Sequence, residues 1–144
     1  MKTFFFLFSL FCFASCSFPK DPENSYATAK SSGLKVGYVH HPPFSFKVSD
    51  EPAGSEVEMI NEFADEQGLE VHYIYGTESE LIKKMENYKL HIMVGGFKKN
   101  TMWKEKAGLS TTYTDNDNCI LVARGENKLL YELETYLLNY KEKK

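Results

Sequence analysis

An apolar run, Phe4 to Phe13, opens the chain, and beyond it the hydrophobic positions fall into short blocks separated by polar loops. Leu34-Lys35-Val36-Gly37-Tyr38-Val39 ends at His40-His41-Pro42-Pro43, where two prolines stop any strand, so the pattern predicts a first strand followed by a loop. Val57, Ile60, Phe63 and Ala64 then recur at helical spacing. Ser55-Glu56-Val57-Glu58 has the form of a capping box and Gly68 supplies a stop, which predicts the first helix. Glu70 to Tyr75 alternates polar and apolar residues and is rich in aromatic and β-branched side chains, a strand pattern. Thr77-Glu78-Ser79-Glu80 is a second capping box, opening a helix with Leu81, Ile82 and Met85 facing inward.

His91-Ile92-Met93-Val94 predicts a third strand that runs into Gly95-Gly96. After a polar loop from Lys98 to Lys106, Asn118 to Ala123 predicts a fourth strand. Gly125-Glu126-Asn127 starts a last helix with Leu129, Leu130, Leu133, Tyr136, Leu137 and Tyr140 on one face, and Lys141, Lys143 and Lys144 suit its negative end. Strands alternating with helices predict an α/β fold of βαβ units, a single three-layer lobe with a mostly parallel sheet of about four strands. Ligands of such sheets sit at the carboxyl ends of the strands, here His40 to Phe46 and Gly95 to Lys99.

The opening run has a different meaning. Met1-Lys2-Thr3 followed by Phe4 to Phe13 is the charged and apolar pattern of a secretory signal, and the run falls short of the roughly 20 apolar residues that span a bilayer. It stops at Ala14-Ser15-Cys16, a lipobox arrangement: the peptidase must seat small side chains beside the scissile bond, and a thiolate is the nucleophile that takes the diacylglycerol group. Phe13 stands where Leu is usual; the rival reading is an ordinary signal peptide with a coincidental cysteine. The expected division is a signal peptide over 1–15, a lipidated Cys16 with a flexible tether over 16–32, and one domain over 33–144. Ser17 to Ser32 is assigned to the tether because it is rich in Ser, Pro, Lys and acidic groups with no apolar period. The expected location is the cell envelope, lipid-anchored at the periplasmic face or the cell surface.

Of three cysteines, Cys12 and Cys16 belong to the leader and anchor, so the domain has only Cys119 and no internal disulfide. Within Cys119-Ile120-Leu121-Val122 it reads as a buried strand residue rather than a reactive thiol. Removing Lys2 with the leader leaves 16 basic against 20 acidic residues, a net charge of −4, which disfavours nucleic acid as a partner. His40, His41, His72 and His91 show no metal-ligand spacing. No nucleophile motif, Gly-rich phosphate loop or acid/base pair emerges, so neither a catalytic set nor a cofactor is expected.

Leu34-Lys35-Val36-Gly37, then Pro42-Pro43-Phe44-Ser45-Phe46, then Gly54-Ser55-Glu56-Val57-Glu58 opening a helix, then Gly95-Gly96, then Leu109-Ser110 and Tyr113 occur in an order and spacing that together are specific. From Leu34 to about Lys141 the chain resembles the first lobe of extracytoplasmic solute-binding proteins of family 3, the periplasmic receptors of polar amino acid uptake systems. The resemblance implies the fold of lobe 1 of a type II periplasmic binding protein. It also implies that Phe44 stacks on a ligand and that Gly96, Phe97 and Lys98 present backbone donors to a carboxylate. The family's carboxylate-clamping arginine falls seven residues after the second glycine, where this chain has Trp103. Arg forks onto a carboxylate and Trp does not, so an α-amino acid ligand is disfavoured. Asn100-Thr101-Met102-Trp103-Lys104 resembles a divergent branch of the family with Thr and Trp in this loop. A further departure is that the chain passes from the fourth strand straight into a closing helix, so a second lobe is expected to be missing.

The candidate ligand-binding set is therefore His40, His41, Phe44, Glu56, Gly96, Phe97, Lys98, Thr101 and Trp103. Each has a plainer alternative. His40 and His41 could be exposed loop residues, and Phe44 could plug the domain edge. Glu56 is also explained by the helix dipole. Trp103, among Lys98, Lys99 and Lys104, is either a binding surface or a packing anchor. The expected function is an envelope lipoprotein that binds or senses a small solute, with a transporter, another membrane protein or a second copy of itself as partner. The alternative is a protein-interaction module that has lost small-molecule binding.

Overall fold

The structure, a computed structural model, describes residues 21–142. The apolar leader and Cys16 lie outside the described residues. The described residues form seven strands in chain order, β1 (Leu34–Tyr38), β2 (Phe46–Val48), β3 (Glu51–Ala53), β4 (Val71–Tyr75), β5 (Ile92–Val94), β6 (Gly108–Leu109) and β7 (Leu121–Val122). The helices are α1 (Ser25–Ser32), α2 (Ser55–Gln67), α3 (Glu78–Glu86) and α4 (Asn127–Glu142), with a 3₁₀ turn at Met102–Glu105. Five strands form one sheet in the order β4-β1-β5-β7-β6, and β2 and β3 form a separate hairpin.

β4, β1 and β5 are parallel, with Val36 opposite both Tyr73 and Ile92. β7 runs antiparallel to β5 and β6, so the sheet is mostly parallel with an antiparallel edge. Side chains alternate across it. Val36, Tyr38, Ile92, Val94, Ile120 and Val122 pack with Met59, Ile60 and Phe63 of α2 and Leu129, Leu133 and Leu137 of α4. On the opposite face Met93, Cys119, Leu121 and Ala123 pack with Leu81, Ile82 and Met85 of α3. This is the expected three-layer α/β lobe. Among the described residues no helix is long and apolar enough to cross a membrane.

Two expectations change. The second half of the expected flexible tether is α1, which docks on α4 and β1. Asn24 accepts no side-chain role in its cap; instead the buried carboxylate of Glu126 accepts the Glu23 N–H at 2.8 Å and the Ser25 N–H at 2.6 Å. Asp21 in turn accepts the Lys128 N–H in the first turn of α4 at 2.7 Å. The helix leaves no apolar period in the sequence because only Ser25 and Ala29 are buried on it.

The second concerns the start of α2. Its N-cap is Gly54 at φ 121°, with no side-chain cap, so the expected Ser55 capping box does not form. Carbonyls of the preceding loop do the capping: Ser55 N–H donates to Pro43 at 3.0 Å and Glu56 N–H to Phe44 at 2.9 Å. Only glycine fits at 54, since a Cβ there would stand 2.4 Å from the Phe44 carbonyl oxygen. The cap ties the loop after β1 to α2. By contrast Thr77 and Glu80 form the predicted capping box of α3, and Gly68 takes the left-handed conformation that ends α2.

Candidate functional site

The loop after β1 is folded on itself. His41 N–H donates to Ser45 O at 2.7 Å, Phe44 N–H to His41 O at 2.9 Å, and the buried Ser45 hydroxyl to Val39 O at 2.8 Å. This closed turn presents His41 and Phe44 side by side, their ring centroids 5.3 Å apart. The loop after β5 meets it. His41 Nδ1 lies 2.5 Å from Gly95 O, and Phe44 covers Gly96 so closely that a Cβ there would meet the ring at 2.4 Å. Gly96, at φ 67°, is thus required twice, for its backbone conformation and for the ring above it.

Beneath these loops lies Glu56, with 0% of its surface exposed. Its Oε2 accepts the Gly95 N–H at 2.6 Å and the Gly96 N–H at 2.9 Å, and its Oε1 accepts the Tyr113 hydroxyl. Burial pushes the Glu56 carboxyl above the usual carboxylate range; the Tyr113 hydroxyl, the two glycine N–H groups and nearby His41 pull the other way. Burial, and then the Glu56 charge, raise the Tyr113 phenol as well. The carboxylate therefore holds the loops after β1 and β5 in one arrangement. The expectation that the Gly96 N–H serves a ligand carboxylate is corrected here, because that donor is committed to Glu56.

Beside this cluster is a cavity of about 120 Å³ lined by Phe44, Ser55, Met59, Tyr113, Thr114 and Tyr140. Sequence reasoning placed only Phe44 in it. Tyr113 served as a marker of resemblance and Tyr140 as a core residue; no local signal shows that they converge, since they arrive from separate elements. The remaining candidates lie elsewhere. His40 is exposed. The Phe97 side chain is buried in the α3-side core and its carbonyl accepts the Cys119 N–H at 2.8 Å. Lys98 is exposed and bridges to Asn118 through the backbone. Thr101 caps the 3₁₀ turn, accepting the Trp103 N–H at 3.4 Å.

Trp103 packs against the α3-side core and its indole N–H donates to Glu78 at 2.6 Å. It ties its loop to the first turn of α3, the arrangement of a packing anchor. His91, at the head of β5, is buried and accepts the Lys35 N–H at Nδ1, and burial lowers its pKa. Cys119 is buried, and burial pushes its thiol up to about 11. Among the described residues no cluster of His, Cys, Asp and Glu has the geometry to hold a metal ion.

A three-layer α/β lobe whose candidate site sits where two parallel strands end has the architecture of one half of a bilobal solute receptor. The family model for bacterial extracellular solute-binding proteins, family 3, matches residues 34–143, and the chain belongs to this family. Among solved structures, the arginine-bound form of domain 1 from TmArgBP aligns with a TM-score of 0.69 and 21% identity, over 78% of this chain and 97% of that one. A point mutant of the same domain gives a TM-score of 0.73 and 22% identity over 81% and 98%. A Salmonella typhimurium periplasmic binding protein, described as highly specific for arginine, gives 0.66 and 10% over 76% and 93%. These likenesses establish the fold, that of lobe 1 of a periplasmic binding protein. Among curated proteins none matches the sequence.

Proposed function

We propose that this chain is an envelope lipoprotein, anchored at Cys16 after removal of residues 1–15, that binds or senses a small solute and works with a transporter or another membrane partner. The observation that carries the reading is the convergence of His41, Phe44, Gly96 and Tyr113 beside a cavity at the carboxyl ends of β1 and β5. Phe44 offers an aromatic face, and the cavity accepts one small group of the solute. Trp103 in place of a clamping arginine, together with the Glu56 carboxylate on the Gly96 N–H, supports a solute whose recognition does not rest on an α-carboxylate.

Small-molecule sites usually enclose roughly 300 to 1,000 Å³ and cover most of the ligand. A cavity of about 120 Å³ is a fraction of that, which supports completion of the site by a second copy or a partner protein. The aromatic face of Phe44 beside the cavity supports a binding role. A solute library screened by thermal shift tests the reading. At least one compound raises the melting temperature of the wild type, and Phe44→Ala removes the shift. The same small cavity favours the second reading, an interaction module. If no solute shifts the wild type while a transporter subunit binds it and loses that binding on Phe44→Ala, the second reading replaces the first. For the anchor, mass spectrometry of the mature protein shows a diacylated Cys16; a free Ser17 terminus would overturn it.

A further inference from the structure

If Cys16 carries the acyl chains, as proposed above, the fold determines which side of the domain faces them. Only four residues, Ser17-Phe18-Pro19-Lys20, separate Cys16 from Asp21. Asp21 itself belongs to the folded body: its carboxylate takes the Lys128 N–H, Pro22 packs beside Gly125, and the Glu23 and Ser25 N–H groups are held by Glu126. Five Cα-to-Cα steps reach at most about 17 Å, roughly one and a half helix diameters, so the domain cannot stand far from the lipid or turn freely over it.

The edge held close is set by the topology. β7 is antiparallel to β5, and Ala123 N–H donates to His91 O at the start of β5, 3.0 Å away. Arg124 to Glu126 and the first turn of α4 therefore lie where the parallel strands begin. The end of α2 is there too: Tyr26 donates to the Gln67 side chain at 2.7 Å, and Lys30 bonds the Gln67 carbonyl. His41, Phe44 and Gly96 lie at the opposite end, where those strands finish. On the near edge Lys128 Nζ sits 5.5 Å from the ring centroids of both Tyr26 and Tyr131, and Lys30 Nζ sits 5.5 Å from Tyr26. Tyr131 is 63% exposed, and Glu132 is the acid that pairs with Lys128. Tyrosine rings flanked by lysines suit a headgroup layer, where the rings sit at the interface and ammonium groups meet anionic lipid.

We propose that the edge formed by Tyr26, Lys30, Lys128 and Tyr131 rests on the headgroups of the bilayer that holds the anchor, so that the solute face points away from the membrane. The test uses the full lipidated chain on phosphatidylethanolamine/phosphatidylglycerol vesicles containing headgroup nitroxide lipid. Bimane is attached at Tyr131→Cys or, in a second variant, at Asn116→Cys in the loop before β7; the native Cys119 is buried and escapes the label. The probe at 131 loses most of its emission and the probe at 116 keeps it. Equal quenching at both positions, or none at 131 on vesicles that carry the protein, overturns the orientation alone. A chain that fails to float with the vesicles overturns the anchor reading, and the orientation with it.

Discussion

A carboxylate with no exposed surface must be matched donor for donor, and Glu56 is matched by two backbone N–H groups and a phenol. Glu56→Ala would leave the Gly95 and Gly96 N–H groups buried and unpaired, and we expect a loss of about 3 kcal/mol or more in urea unfolding. Its pH dependence follows from burial. The folded-state pKa is raised above the unfolded value near 4.5, so ionisation favours the unfolded chain. Stability from this group is full below the unfolded pKa and is lost as pH rises through the folded one. Glu56→Gln does not titrate. Its melting temperature relative to the wild type therefore climbs as pH rises from the unfolded value through the raised folded-state pKa, and a pH-independent difference would refute the burial argument. Cys119, buried with its thiol pushed up to about 11, resists maleimide in the native protein and reacts once the chain is unfolded. At this scale the sequence revealed identity more readily than partnership. Glu56 was visible as a helix-dipole residue, but its grip on Gly95 and Gly96 spans some forty positions and leaves no local pattern. Trp103 among its lysines reads as either a surface or an anchor, because Glu78, which holds it, lies 25 positions away.

The helices divide by how much apolar surface each buries. α2, α3 and α4 announced themselves because each carries three or more buried apolar residues at helical spacing. α1 buries Ser25 and Ala29 alone and owes its place to the exchange of caps with α4. Glu126→Ala should therefore destabilise by about 1 to 3 kcal/mol and do so locally. Hydrogen exchange would accelerate over residues 23–30 while β1 and β5 stay protected; uniform acceleration would contradict the local role. Thr77→Ala removes the cap of α3, a loss of about 1 kcal/mol readable as a lower urea midpoint. The two-residue β6 and the hairpin of β2 and β3 are set by pairing with distant or looped segments, which composition does not encode.

For the molecule as a whole, alternating strands and helices were enough to predict the three-layer lobe, because each βαβ crossover must bury its helix against the sheet. The direction of β7 was not legible, since an apolar run reads the same parallel or antiparallel. That direction carries the chain back to the start of α4, at the opposite end of the sheet from His41, Phe44 and Gly96. A single lobe with so small a cavity should hold a solute only weakly. Calorimetry on the chain alone is expected to give a Kd of about micromolar or weaker, and nanomolar binding by a monomer would exclude a site that needs completion.

The course of α4 has one more consequence. It starts at the edge where the parallel strands begin and runs to the cavity, where Tyr140 forms part of the wall. Asn139, the exposed neighbour of that wall, is a natural attachment point for an environment-sensitive dye, which would report occupancy as a change in brightness. With the opposite end fixed to a lipid-coated surface, the same helix would make the protein an optical biosensor whose reporter stands clear of its support.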